Sequence, residues 1–392
     1  MKGQIHKYYL YSFFSSFHFF SGVLIPFFVG FGHLTQFQIQ TLQAWFSLWV
    51  FLLEVPTGAV ADKFGRRISI GLGSLVWGIG VLIYGSFGSF YVFMLGEFLL
   101  AVGLALQSGA DEALLYDHLK EEGKEGEAKM VFGRARSFEL LGIALSAPIG
   151  SFIAARFGVN VPMQFTAFSM LLTFIFALSL KEPKMRSVSE SKRYLSIVKN
   201  GFSFVKNHPL IKVIALDSIL VASASYFVLW TYQRLLGLMS VPVIWFGFFH
   251  LFLTINQILV NNTYHHLEKF VGGTLGYLRT TAFLVGLSFI LVGVFPNLFT
   301  VSLFILLAGG FGLTRLTYVS AHLNKLIPSQ ERATVLSSVS MFRRFFLIFL
   351  NPLVGYSIDR SLNLTLIGLS VIPLSLFLFS PLKKEMFSED TS

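Results

Sequence analysis

Apolar residues in this chain come in unbroken runs of about twenty, separated by short polar stretches, a length that predicts helices crossing a bilayer. The runs fall at residues 8–31, 37–60, 68–87, 90–115, 133–155, 160–180, 210–232, 241–263, 271–294, 298–321, 333–357 and 361–381, which gives twelve predicted spans. An outer-membrane barrel would instead alternate apolar and polar side chains over about ten residues, a pattern these runs do not have. The first run follows MKGQIHK, is too long for the core of a signal peptide and has no small-residue cleavage site behind it, so it is expected to remain as a helix.

The polar intervals set the organisation. Residues 181–209, KEPKMRSVSESKRYLSIVKNGFSFVKNHP, are basic and rich in Ser and divide the spans six and six. The expected domains are an N-terminal six-helix bundle over 1–180, a cytoplasmic linker over 181–209 with a short surface helix from Tyr194 to Val205, a C-terminal six-helix bundle over 210–381 and a cytoplasmic tail over 382–392. With both termini inside, 23 Lys and Arg lie on the cytoplasmic side against three outside, Arg156, Arg234 and Arg360, while Arg279, Arg315, Arg343 and Arg344 lie within spans. That bias orients a multi-pass protein with both termini cytoplasmic, in a bacterial inner membrane.

Composition agrees with lipid as the bulk solvent: 54% of the 392 residues are hydrophobic and 13% charged, half the charge of a soluble domain. The formal charge of +10 is explained by membrane orientation, which leaves nucleic acid an unnecessary partner. The chain has no Cys, so thiol catalysis, iron–sulfur clusters and thiolate zinc sites are excluded.

The two halves carry matching landmarks. A shift of 204 residues lays Asp111 on Arg315, His118 on His322, Leu119 on Leu323, Glu127 on Glu331, Phe138 on Phe342, Glu139 on Arg343 and Pro148 on Pro352, and a shift of 206 lays Asp62 on Glu268. Such an ordered run predicts an internal six-plus-six repeat: an all-α integral membrane fold of two pseudo-symmetric six-helix bundles with a cavity at their interface.

The loop between spans two and three carries the most specific motif, EVPTGAVADKFGRRISI from Glu54 to Ile70. Gly58 permits close backbone approach, Gly65 makes the turn, and Asp62 can accept charge-assisted hydrogen bonds from Arg66 or from a helix N-terminus of the other half. In Gly58, Asp62, Gly65, Arg66 and Arg67 the chain resembles the major facilitator superfamily, whose signature is Gly-x-x-x-Asp-x-x-Gly-Arg-Arg/Lys. The resemblance extends over nearly the whole chain and implies that these five residues form a conformational latch. The second copy, YHHLEKFVGG, keeps Glu268 and Gly272 but lacks the Arg pair, so the two latches are expected to be unequal. Gly142, Pro148 and Gly150 in GIALSAPIGS look like a degraded antiporter motif of drug-efflux members, with Ala147 in place of a Gly.

Ionisable groups at membrane depth are costly and need a partner or a watery cavity. The family's cavity is lined by spans one, four, seven and ten, and that resemblance points to Asp111, Glu112, Asp217 and Arg315, to which Glu139 and Arg343 add the second oppositely charged pair of the repeat. Asp111 is expected to be the proton carrier, with Glu139 and Asp217 behind it. Glu97, fourteen residues before Asp111, is expected on the same helical face. Attraction of Asp111 for Arg315 and of Glu139 for Arg343 across the two halves is expected to close the cytoplasmic side; the alternative is that each charge is satisfied within its own half.

No His-x-x-x-His or acidic cluster has metal-ligand spacing, and there is no nucleotide-binding loop or nucleophile motif, so neither metal, cofactor nor ATP is expected. The expected function is secondary active transport of a small organic molecule by alternating access, as proton-coupled efflux by an antiporter that works as a monomer. An importer or facilitator of an organic anion is the alternative within transport, and a polytopic membrane enzyme the alternative outside it.

Overall fold

The computed structural model describes residues 2–183, 207–327 and 332–382; the surface helix expected over Tyr194 to Val205 and nearly all of the C-terminal tail lie outside them. Helices follow one another without a strand among the described residues: α1 (Lys2–Ser15), α2 (Gln36–Phe64), α3 (Arg66–Ser86), α4 (Phe90–Gln107), α5 (Ala110–Glu121), α6 (Ala128–Phe157), α7 (Val161–Ser179), α8 (Pro209–Tyr226), α9 (Val228–Leu238), α10 (Phe246–Phe270), α11 (Thr274–Val294), α12 (Leu298–Phe304), α13 (Leu313–Leu326), α14 (Arg332–Arg360) and α15 (Leu362–Phe379). The chain divides into two compact units, Met1–Tyr194 with Pro242–Leu251, and Leu195–Val241 with Phe252–Ser392.

Among the described residues nine helices are long and apolar enough to cross a membrane, ten when the bent pair Gln36–Glu54 and Pro56–Phe64 counts as one. The two remaining predicted spans fall short for visible reasons. Span one is broken after Ser15 and resumes as the short helix Leu24–Pro26 and a π turn, Phe27–Phe31, while α14 carries Arg343 and Arg344 in its middle.

The helices are amphipathic in the sense that suits lipid. On α7, Phe165, Phe168, Leu171, Ile175 and Leu178 are exposed, whereas Thr166, Ser169, Met170, Thr173 and Ala177 are buried. Large apolar side chains meet the acyl chains, and small or weakly polar ones let helices approach. The hydroxyls do not compete for partners: Thr166 and Thr173 donate to the carbonyls of Pro162 and Ser169 one turn back, at 2.9 and 2.8 Å.

Each unit has its own core, and the two cores use equivalent positions. Leu114, Leu115, Leu119, Val131 and Ala135 are buried in the first unit; 204 residues on, Tyr318, Val319, Leu323, Val335 and Val339 are buried in the second. The repeat read from charged landmarks is thus repeated in the burial pattern.

Candidate functional site

The turn between α2 and α3 is built around Gly65, buried with φ +101°, a conformation that side-chain-bearing residues rarely adopt. Gly58 and Asp62 lie on the last turns of α2, after the bend at Pro56. The sequence motif left out two residues that complete the turn. Glu182, just past the end of α7, accepts the backbone N–H of Arg66 at Oε1 and that of Arg67 at Oε2, both at 2.8 Å. A carboxylate on two free N–H groups at a helix N-terminus is a favourable cap for charge and hydrogen bonding alike. Arg66 then sends Nη1 to Asp117 Oδ2 on α5 at 2.5 Å, and Arg67 sends Nη1 to the Leu180 carbonyl at 3.4 Å. The motif thereby ties α3, α5 and the end of α7 together inside the first unit.

Besides span two, bent at Pro56, four predicted spans are interrupted, and at three of these breaks a side chain takes a freed backbone group. In span one, between Ser15 and Leu24, the backbone N–H of Phe19 donates to Thr166 Oγ1 at 3.1 Å and Ser21 Oγ to the His18 carbonyl at 3.0 Å, while the His18 ring stacks on Trp77 at 4.7 Å. Span four breaks at Ser108 and Gly109 (φ +75°), and Ser69 Oγ from α3 takes the Leu106 carbonyl at 2.7 Å. Span seven breaks where α8 gives way to α9 at Phe227. Span ten widens into a π turn over Ile305–Gly312, and Asn256 Nδ2 donates to the carbonyls of Ile305 and Leu306 at 3.3 and 2.6 Å. Irregular backbone at membrane depth persists only where protein or a watery cavity satisfies it, and π turns concentrate at functional sites.

The break in span four overturns one expectation. Glu97 is not on a shared helical face with Asp111, because α4 ends at Gln107 and α5 starts afresh after a left-handed residue. Glu97 is buried instead against Tyr84 and Gln43, whose hydroxyl and amide donate to Oε1 at 2.8 and 2.9 Å.

The predicted cavity residues fall into two groups. Asp111 and Glu112 occupy the first turn of α5, with the Glu112 N–H on Asp111 Oδ1 at 2.8 Å, and Glu112 is exposed. Glu112 and Glu139 of α6 lie close enough to act on Asp111 electrostatically, and all three act on Tyr8 of α1. Glu139 accepts from Arg136 at 2.5 Å. In the second unit, Asp217 of α8 and Arg315 of α13 are 3% and 1% exposed. Arg315 gives Nε to Asp217 Oδ1 at 3.1 Å and Nη2 to the same oxygen, while Nη1 reaches the Leu278 carbonyl at 3.0 Å and Thr281 Oγ1 at 2.7 Å. Arg343 is half-buried in α14, and its Nε is buried with no hydrogen-bond partner among the described residues.

Within the units, Arg315 pairs with Asp217 and Glu139 with Arg136, as the alternative of charges satisfied within their own half expects. The Arg315 guanidinium, buried among α8, α11 and α13, is satisfied by the carboxylate packed beside it. The glycines of span five also have a packing role. A Cβ at Gly142 would meet the Phe13 carbonyl oxygen at 2.5 Å, and one at Gly150 would collide with the carbonyl of Phe19. Both keep α6 against the broken first span, a duty that carries no transport direction. Among the described residues no group of three or more His, Asp or Glu is placed to hold a metal ion.

Comparison with known proteins extends this geometry. The profile described as Major Facilitator Superfamily matches residues 9–350. Curated relatives include an uncharacterized MFS-type transporter of Methanocaldococcus jannaschii, 21% identical over 170 residues, 43% of each chain, and an uncharacterized transporter of Buchnera aphidicola subsp. Schizaphis graminum, 30% identical over 127 residues, 31% of each. The matches thus span less than half the length of these curated relatives. Similar solved structures include the nucleoside transporter NupG (TM-score 0.77, 13% identity, 98% of this chain and 99% of that one). A bacterial homolog of the human lysosomal transporter Spinster, inward-facing and occupied, gives TM-score 0.74 with 15% identity over 99% and 96%. A POT family transporter in complex with 5-aminolevulinic acid gives 0.73 with 14% over 96% of each. At these identities the likeness is one of fold, and the profile match decides the family: the chain belongs to the Major Facilitator Superfamily, a family of membrane transporters and not of enzymes.

Proposed function

We propose that this protein is a secondary active transporter that moves a small organic molecule by alternating access, driven by protons and directed outward. The observation that carries this reading is that spans one, four, seven and ten, which the family resemblance assigns to the cavity, are all interrupted. A helix broken at a fixed point can bend there without losing the hydrogen bonds of either segment, and side chains such as Ser69, Thr166 and Asn256 hold the freed backbone groups. Asp111 beside one of these breaks is the proposed proton carrier, supported by Glu139; the turn of Gly58, Asp62, Gly65, Arg66 and Arg67 is the proposed latch. The protein works as a monomer in a bacterial inner membrane with both termini cytoplasmic. A second reading, import of an organic anion, is favoured by Arg343, whose buried Nε is unpartnered among the described residues.

The test uses proteoliposomes loaded with a pH-sensitive dye and a panel of nucleosides, short peptides, cationic dyes and organic acids. At least one solute is expected to change the internal pH as it moves. Asp111→Asn is expected to abolish the pH change while leaving exchange of the same solute intact. Unaltered proton movement in that variant would place the carrier elsewhere, and an organic acid as sole substrate, lost in Arg343→Gln, would favour the second reading.

A further inference from the structure

The second latch, which lacks the Arg pair, contains a triangle of acceptors that needs a proton. Glu268 stands in the last turns of α10, Thr274 is the first residue of α11, and His322 lies on α13. Thr274 Oγ1 is 2.6 Å from Glu268 Oε1 and 3.1 Å from His322 Nε2, and Nε2 is 3.3 Å from the same carboxyl oxygen. On the other side of the ring, Nδ1 is 3.2 Å from the Tyr318 carbonyl, which can only accept, so Nδ1 carries a hydrogen.

That leaves three atoms with lone pairs facing one another. A carboxylate and a neutral imidazole bring a single hydrogen to the triangle, that of the threonine hydroxyl, and one or two edges are left with facing lone pairs. One additional proton, on Nε2 or on Oε1, supplies a second donor and makes the arrangement attractive. His322 is buried and Glu268 half-buried, so water is poorly placed to take the donor's part. We propose that Glu268, Thr274 and His322 together bind one proton, and that this proton ties the end of α10 and the start of α11 to α13.

Among the described residues, tyrosine hydroxyls also act on this site, that of Tyr318 on Glu268 and Thr274 and those of Tyr264 and Tyr277 on Glu268. Tyr318 lies 4.5 Å from the imidazole, ring to ring, and is flanked by Tyr277 of α11 and Tyr264 of α10. Arg315, on the same helix, acts on Tyr277 but is committed to Asp217 of α8. His265, His266 and Lys269 of α10 are exposed, and α14 contributes Val335 and Val339.

The first unit solves the same problem with a fixed charge. There the turn supplies the base, Arg66, and α5 the acid, Asp117, next to His118, the residue that the repeat aligns with His322. In the second unit the turn has no Arg pair, Glu268 stands where the repeat places Asp62, and α13 supplies His322. A guanidinium keeps its charge at every physiological pH, whereas an imidazole gains or loses one between pH 5 and 8.

The experiment is nuclear magnetic resonance of the full chain in lipid nanodiscs at pH 7, with ¹⁵N-histidine and ¹³C-glutamate labels. The histidine signal that disappears in His322→Gln is expected to have both ring nitrogens protonated, and to lose the second N–H in Glu268→Gln. With the proton on the other partner, the Glu268 carboxyl signal reads as the acid and becomes a carboxylate in His322→Gln; this outcome supports the site equally. Should His322→Gln fail to fold, transfer from the Tyr318 ring identifies the signal. A wild-type spectrum in which His322 has one bare ring nitrogen and Glu268 is a carboxylate overturns the proposal, as does a doubly protonated His322 that is unchanged in Glu268→Gln.

Discussion

Asp217→Asn would leave the Arg315 guanidinium, 1% exposed, with the Leu278 carbonyl and the Thr281 hydroxyl as its remaining strong acceptors. Breaking a buried ion pair by removing one partner costs about 3–5 kcal/mol, because the other charge stays buried and uncompensated. A domain of 150–250 residues loses about 2–4 °C of Tm per kcal/mol, so the variant should melt about 6–20 °C lower. Arg315→Met should do similar damage for the converse reason. Removing both charges is a different case: a buried pair replaced by apolar residues of like volume is often neutral, so Asp217→Leu with Arg315→Met should recover most of the loss, to within about 2 kcal/mol of the parent. Thermal unfolding in detergent, followed by tryptophan fluorescence, reads this directly, since Trp230 is the one tryptophan in the second unit. A double variant as damaged as the sum of its singles, or singles that lose less than about 1 kcal/mol, would refute the view of this pair as a mutually dependent brace.

Other outcomes follow from the backbone. Gly65→Ala forces a side chain into φ +101° beside Glu182 and should cost more than about 1 kcal/mol, measured as the same Tm shift. Asn256→Leu strips the donor from the Ile305 and Leu306 carbonyls and should cost about 1–3 kcal/mol, with faster hydrogen exchange confined to the region of the π turn; exchange unchanged there would mean the turn does not depend on Asn256. Asp62→Asn and Arg66→Ala should abolish transport in proteoliposomes with insertion and expression intact, and wild-type flux in either would remove the latch.

Much of the architecture could be read directly. A membrane-spanning backbone must satisfy its own hydrogen bonds, so run length alone placed most of the spans as helices, and the internal repeat reappears in the burial of Leu114 and Tyr318, Leu119 and Leu323, Val131 and Val335. The interruptions were harder. Ser108-Gly109 stands in the sequence as a breaker inside an apolar run and was readable, but the break after Ser15 depends on Thr166, Trp77 and Gly150, partners that only the fold assembles. The motif named Arg66 without its carboxylate, because Asp117 is 51 residues away. Glu182 had a weak signal, an acid followed by a proline at the end of an apolar run. Asp217 and Arg315 each looked like a lone charge in a span; nothing local says that they belong to each other.

The buried brace also constrains how the chain is made. Asp217 and Arg315 are 98 residues apart, and at a synthesis rate of about 5–20 residues per second the acid emerges about 5–20 s before its partner. Through that interval α8 would carry an unpaired carboxyl group into lipid at a cost of about 2.5–3.5 kcal/mol on insertion scales. The segment is therefore best held at the insertion machinery, or at the membrane surface, until α13 arrives. Assembly of the second unit then waits for its fourth span, and a ribosome stalled between the two would strand a half-built bundle marked for degradation by a single exposed acid.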